Sequence, residues 1–174
     1  MKIDCPTCLL RPLELADAES LARHANDRVV WQNLRDRFPH PYSEKDAIDW
    51  IQHVRSRPVQ TRFGIDVDGQ AVGSISLMLG EDIARRTAEV GYWLGREFWG
   101  RGIMVDALRE TTQYAFAELD LTRVFAVPFV TTTRSSRVLE KAGYVREGIM
   151  RRSAVKEGMI LDQFLYAAYS DRPL

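Results

Sequence analysis

Trp99-Gly-Arg-Gly-Ile-Met104 is the segment of this chain best suited to hold an anion. It follows an alternating run, Thr87 to Leu94, and precedes a run whose apolar stripe is Val105, Leu108, Thr112, Ala115 and Leu119, so it falls where a strand ends and a helix begins. The first amides of a helix have no partner within it, and the helix dipole favours negative charge there. A diphosphate suits that position. Glycine at 100 and 102 lets the main chain approach a ligand with no Cβ between them. No Lys-Ser/Thr follows, which excludes the phosphate loop of ATPases, and the glycine spacing fails the dinucleotide fingerprint. A glycine-rich turn with no ligand would carry the same G-R-G.

Other reactive side chains are sparse. His24, His40 and His53 show no ligand spacing, so no metal site is expected. Cys5-Pro-Thr-Cys8 has the spacing of metal and redox motifs, yet there is no second cysteine pair and the nearest histidine is His24. A redox CxxC normally opens a helix after a strand, whereas this one precedes the first expected strand. Two free thiols near a mobile terminus are expected.

The elements that must position the glycine segment follow from periodicity. Leu9 to Leu13 reads as a strand, and Asp17 opens a helix carrying Leu21, Ala22 and Ala25. A second helix holds Val29, Val30 and Leu34. Phe38-Pro-His-Pro-Tyr42 cannot be helical, and Ser43 caps a third helix with Ala47, Ile48 and Ile51. Phe63, Ile65 and Val67 alternate with polar residues, Asp68-Gly69 forms a tight hairpin, and Val72 to Leu79 returns. After the long helix come a strand at 123–129, a helix at 135–142 closed by Gly143, and strands at 144–149 and 160–168. A strand–helix–strand crossover beside a hairpin predicts a mixed sheet.

At 174 residues the chain suits one domain, 1–174, with one good core. Lys plus Arg balance Asp plus Glu at 24 each, which offers no net field toward nucleic acid or anionic membrane. The apolar runs are short and broken by charge, and the start lacks the pattern of a signal peptide, so a cytoplasmic protein is expected.

Glu89-Val-Gly-Tyr-Trp-Leu-Gly-Arg-Glu-Phe-Trp-Gly-Arg-Gly102 and Ser136-Arg-Val-Leu-Glu-Lys-Ala-Gly-Tyr144 resemble the two motif regions of GNAT acetyltransferases, most of all the branch of ribosomal-protein N-terminal acetyltransferases. Leu10-Arg-Pro-Leu13 resembles that branch's opening strand, and Asp162-Gln-Phe-Leu-Tyr166 its closing one. The resemblance implies an α/β fold with a mixed sheet of about seven strands flanked by helices, acetyl-CoA as co-substrate, and direct transfer of acetyl to a primary amine without a covalent enzyme intermediate.

It also implies roles by position. The family's diphosphate loop, Gln/Arg-x-x-Gly-x-Gly/Ala, falls on Trp99, Gly102 and Met104, so only its middle glycine is kept and Met104 stands where it can crowd the ligand or point away. The amides of Gly100, Arg101, Gly102, Ile103, Met104 and Val105 become the diphosphate ligands. In the resembling enzymes the strand end before this loop splays from its neighbour and pairs with pantetheine; Tyr92, Trp93 and Leu94 hold that place, with the Leu94 amide toward the thioester carbonyl. Thr132 replaces the usual Asn that bonds the cofactor arm. Leu139 replaces a Tyr acid, and Ser135 takes the position of the branch's substitute acid, though an ordinary helix cap would select the same residue. Glu89 can draw a proton through water, or simply pair with Arg85 or Arg86; Glu157 can border the acceptor or merely charge a turn.

Trp31, Phe38, His40, Tyr42 and Trp50 can wall an acceptor cleft, although aromatics at such spacing are more often core. The resemblance favours a protein or peptide α-amine as acceptor, with small amines such as a polyamine next. It includes homodimers, but no segment here marks an interface. The missing Asn and Tyr also leave open a CoA-binding module without turnover.

Overall fold

The computed structural model describes residues 1–171. It contains two compact units: Met1–Ser76 with Tyr92–Ala107, and Leu77–Gly91 with Leu108 onward. Strands run across one mixed sheet in the order β1 (Ile3–Asp4), β2 (Leu9–Arg11), β3 (Arg62–Val67), β4 (Gln70–Leu79), β5 (Thr87–Leu94), β6 (Arg123–Ala126), β8 (Met159–Tyr169) and β7 (Val145–Lys156). β5 and β6 pair in parallel. The pairs β1–β2, β2–β3, β3–β4, β6–β8 and β7–β8 are antiparallel. The eighth strand, beyond the seven expected, is the two-residue β1.

In the first unit, β1 corrects the reading of the cysteines. Cys5 and Cys8 lie in the turn that joins β1 to β2, where the Cys5 amide donates to the Cys8 carbonyl at 3.0 Å, rather than before the first strand. A hydrogen bond from Cys5 draws the Cys8 thiol below its usual pKa, against burial and the carboxylates of Asp106 and Asp66. Thr7, in the same turn, donates to Asp106 Oδ2 at 2.7 Å.

Helices α1 (Ala18–Ala25) and α3 (Glu44–Arg55) bury their apolar faces in one cluster with Leu13, Tyr42 and Ala71. Leu13, Leu21 and Ile51 are fully buried, each worth about 1.5–3 kcal/mol of transfer free energy. α3 starts at Ser43 with a capping box: the Asp46 amide donates to Ser43 Oγ at 3.2 Å and the Ser43 amide to Asp46 Oδ2 at 2.8 Å. The helix α2 (Arg28–Trp31) is one turn long and stops before Leu34, shorter than its apolar spacing predicted. Arg11 bridges Asp17 at 2.7 Å and Asp66 at 2.6 Å, tying β2 to the entry of α1 and to β3. Asp68 and Gly69 adopt φ of 53° and 82°, the left-handed pair of a type I′ hairpin.

In the second unit, Leu108, Thr111 and Ala115 are fully buried on α4 (Ile103–Ala117), the long helix between β5 and β6. The helix α5 (Thr133–Lys141) buries Leu139 and Ser136. The β7–β8 hairpin runs to Glu157-Gly158, at φ 50° and 76°, so Glu157 is a turn residue.

Candidate active site

Strand β5 has two different edges. Gly80 donates to Thr87 O at 2.8 Å and Gly95 to Val72 O at 2.8 Å, so odd-numbered positions from 87 to 95 turn their backbone groups toward β4 and even-numbered ones turn away. Tyr92 and Leu94 therefore point their amides and carbonyls away from β4, while Trp93 between them points toward it. The Trp93 ring packs on the α1–α3 core cluster. Its carbonyl lies so close to Gly73 that a Cβ there would stand 2.5 Å away, which is why the facing strand carries glycine.

On the other edge the parallel ladder runs Thr87↔Arg123, Ala88↔Val124 and Glu89↔Phe125, and β5 continues past this last rung to Leu94. The chain after β6 follows β8 instead: Gln163 Nε2 donates to Val127 O at 2.7 Å, Phe164 N to Pro128 O at 2.9 Å, and Phe129 bridges Gln163. From residue 127 to 130 the chain is thus held to β8.

Beyond β5 a single tight turn, Arg96–Phe98, leads to the glycines. Gly95 is needed there because a Cβ would meet the buried His24 ring at 3.0 Å. Burial, then Arg23, lowers the His24 pKa despite Glu97, and its ring meets Phe98 edge-on at 5.3 Å. Gly100 and Gly102 have φ of 79° and 83°; a Cβ at either would meet nothing, so conformation rather than space selects glycine.

The Gly102 carbonyl accepts from Val105 at 2.9 Å and Asp106 at 3.1 Å, which makes a residue without a side chain the N-cap of α4. Among the described residues the amides of Gly100, Arg101, Gly102, Ile103 and Met104 have no hydrogen-bond partner, whereas the Val105 amide is committed to Gly102. Ile103 and Met104 are buried, so the methionine side chain turns inward instead of covering the helix start. Arg101 is exposed, with its guanidinium 5.1 Å from the centre of the Phe98 ring. Peptide dipoles and the Arg101 guanidinium, which meets no carboxylate among the described residues, make this corner receptive to a diphosphate.

The remaining candidates lie in the second unit. Thr132 is the N-cap residue of α5: its carbonyl accepts from Ser135 at 3.1 Å and Ser136 at 3.3 Å, and its hydroxyl makes no capping bond. Ser135, half-buried in the first turn, is not the cap, so the capping explanation of that serine lapses. Glu89 occupies the last rung opposite Phe125. Arg86 pairs with Asp120 at 2.9 Å and Arg85 donates to the Asp82 carbonyl at 3.1 Å, so both arginines are engaged away from β5.

Tyr42 is buried and Phe38 and Trp50 pack on the same cluster, as core aromatics do. His40 stacks on Trp31 at 5.4 Å, with Trp31 Nε1 held by the Phe38 carbonyl at 2.9 Å. No helix among the described residues is long and apolar enough to cross a membrane. Sequence reasoning passed over the indole of Trp99, which donates to Leu94 O at 2.8 Å and joins the strand end to the loop; an aromatic in the first place of the motif was the available signal.

Comparison with known proteins gives the family and the fold. A model of the acetyltransferase (GNAT) domain matches residues 8–145. YjcK of Bacillus subtilis, named a probable N-acetyltransferase, is 33% identical over 168 residues, covering 92% of this chain and 93% of its own. A GNAT-family acetyltransferase from Bacillus anthracis superposes with a TM-score of 0.84 at 24% identity, over 97% of this chain and 98% of the other. RimL, a ribosomal L7/L12 α-N-protein acetyltransferase solved with coenzyme A, superposes at 0.86 and 22% identity, over 98% and 99%. The two structural likenesses speak for the fold.

Proposed function

Since this chain belongs to the GNAT acetyltransferases and is an N-acetyltransferase that uses acetyl-CoA, we propose that its residues at the end of β5 and the start of α4 and α5 form the transfer site, within one domain that includes both units. Acetyl-CoA supplies an activated acetyl group. The amides from Gly100 to Met104 hold its diphosphate, the outward-facing backbone groups of Tyr92 and Leu94 pair with the pantetheine arm, and Thr132 is a further contact to that arm. The observation that carries this reading is the side-chain-free N-cap at Gly102, directly after a strand that outruns its parallel partner.

The Leu94 amide faces away from β4 and is free to donate to the carbonyl oxygen as negative charge develops there. An amine with a pKa of about 8 is mostly protonated at neutral pH, so a base is needed, and Glu89 takes that proton through water. As the tetrahedral intermediate collapses and its C–S bond breaks, Ser135 donates its hydroxyl proton to the departing sulfur and regains one from water, to which Glu89 passes the amine's proton. The acceptor is a primary amine, first a protein or peptide α-amine and next a small-molecule amine.

The test is thiol release. Acetyl-CoA and a panel of amines should liberate free CoA, with one acetyl group gained by the acceptor in mass spectra. CoA binding with no release for any amine would leave a binding module and end the catalytic reading.

A further inference from the structure

More positive charge gathers at the end of α3 and the start of β3 than the fold uses. The Arg62 guanidinium lies 5.9 Å from the centre of the Trp50 ring, and Trp50 stacks on His53 at 5.8 Å. Arg62 Nε is buried and has no hydrogen-bond partner among the described residues, while its terminal nitrogen reaches only the Thr61 hydroxyl, at 3.4 Å. Burial first, then the charges of Arg57 and Arg37, push this guanidinium below its ordinary pKa, and no carboxylate acts on it in the other direction. Burial, then Arg57, Arg62 and Arg37, likewise depress His53. A cavity of 190 Å³ opens among Val54, Arg55, Arg57, Gln60, Thr61 and Arg62.

Helix chemistry explains only part of this. His53 and Arg55, in the last turn of α3, complement the helix dipole. Arg57 lies beyond the helix and Arg62 is on a strand, and holding like charges together costs free energy unless an anion neutralises them. Among the described residues no carboxylate pairs with Arg55, Arg57 or Arg62.

We propose that this arginine cluster anchors a phosphate or carboxylate group carried by the acetyl acceptor, an inference that rests on the acetyl-transfer reading above. Guanidinium forks match both oxyanions. The cluster belongs to the same unit as the end of β5. Trp50 and Trp93 pack on one core cluster, and Phe38, next to Arg37, meets Trp93 edge-on at 5.7 Å. Ile65 pairs with Gly73, which lies against Leu94. Arg62 and Leu94 are thus three residues and two strand spacings apart, about 14 Å at roughly 3.3 Å per residue and 4.8 Å per strand. The acceptor therefore bears its anion several bonds from its amine. A polyamine would meet repulsion here.

Two measurements test this. With CoA saturating, so that the start of α4 is filled, inorganic phosphate and glutarate are titrated by calorimetry into the whole chain. At least one should bind, at least tenfold more weakly to R57Q and R62Q, with R62K between wild type and R62Q because lysine keeps the charge and loses the fork; because Arg57 is exposed, R57Q separates charge from folding. No binding of either anion, or binding indifferent to R57Q, overturns the anchor.

Kinetics then compare O-phosphoethanolamine with ethanolamine, and alanyl-glutamate with alanyl-glutamine, both peptides amidated at the C-terminus so that only the glutamate side chain differs in charge. At least one anionic member should lead in kcat/KM by tenfold or more, a lead lost in R57Q and kept in the charge control R85Q. The pair showing the lead identifies phosphate or carboxylate. Equal rates within both pairs sink the anchor but keep acetyl transfer; failure to release CoA from any amine sinks acetyl transfer, and the titration alone then decides the anchor.

Discussion

The indole nitrogen of Trp99 donates to the carbonyl oxygen of Leu94 at 2.8 Å, and the next amide along the chain, Gly95, donates to Val72 at 2.8 Å. The peptide between Leu94 and Gly95 is therefore gripped on both sides. The last residue of β5 cannot rotate without breaking one of these bonds, and the strand end and the glycine loop move as one piece. Trp99→Phe keeps the ring and removes the donor, leaving a carbonyl that has lost its partner at a cost of about 1–3 kcal/mol. Turnover should fall about tenfold or more if that much is lost from the transition state, with circular dichroism unchanged; wild-type kcat would show that the clamp has no bearing on transfer.

Leu94→Pro probes the amide itself. That N–H faces away from β4, so proline removes no ladder bond and strand edges tolerate it. An oxyanion donor is worth about a hundred- to a thousandfold in kcat. The variant should still bind CoA in calorimetry and lose transfer by that factor; an active proline variant removes the Leu94 amide from the chemistry.

Gly102→Ala places a Cβ at φ 83°, where the left-handed backbone costs an L-residue about 1–2 kcal/mol. Nothing lies within reach of that Cβ, so the penalty is conformational and falls on the N-cap of α4. The Kd for CoA should rise about tenfold, following from the loss of 1.4 kcal/mol, with a small drop in melting temperature. An unchanged Kd would argue that the diphosphate is held elsewhere.

These tests use a part of the molecule that was legible in the residues, for physical reasons. Thr87 to Leu94, the Asp68-Gly69 turn and the Ser43 cap were readable because alternation, positive φ and a capping hydroxyl are local demands. The reach of β7 to Lys156 was not, because Arg151-Arg152-Ser153 shows no alternation and Arg152 sits at a bulge with φ 52°. α2 ended early since its apolar spacing reports burial, not helix length. The arginine cluster escaped notice because Arg55 closes α3, Arg57 follows it and Arg62 opens β3, and only the fold of the turn between the two elements brings them around one cavity.

Arg11 supports a prediction about pH. Burial works to raise the Asp17 pKa, but hydrogen bonds from Arg11 and the Glu14 amide, with the Arg11 charge, leave it lowered. A carboxylate depressed on folding stabilises the protein above its unfolded pKa, about 3.9, and that contribution is lost as pH falls through the lower folded value. Asp17→Asn leaves Arg11 with Asp66 alone and should destabilise by roughly 2–4 kcal/mol at pH 7, somewhat below the range for breaking a fully buried pair. Urea melts of the two proteins should converge as pH drops below about 4. A gap that persists undiminished into that range would show that Asp17 contributes through packing and not through charge.

In the proposed mechanism Ser135 and Glu89 carry the proton steps, and their effects should separate. Ser135 lies in the first turn of α5 without acting as its cap, so Ser135→Ala costs no capping bond and should fold normally. If its hydroxyl protonates the departing sulfur, kcat at saturating acetyl-CoA falls about a hundredfold or more while the KM for acetyl-CoA changes little. Glu89 acts at the opposite end of the reaction, where the amine must lose a proton before or as it attacks. Glu89→Gln should lower the rate most near neutral pH and recover as pH rises past the amine's own pKa of about 8, because the substrate then deprotonates without help. Ser135→Ala should show no such recovery, since higher pH supplies no acid. A Ser135→Ala enzyme with wild-type turnover removes the acid, and a Glu89→Gln profile parallel to wild type at every pH removes the base.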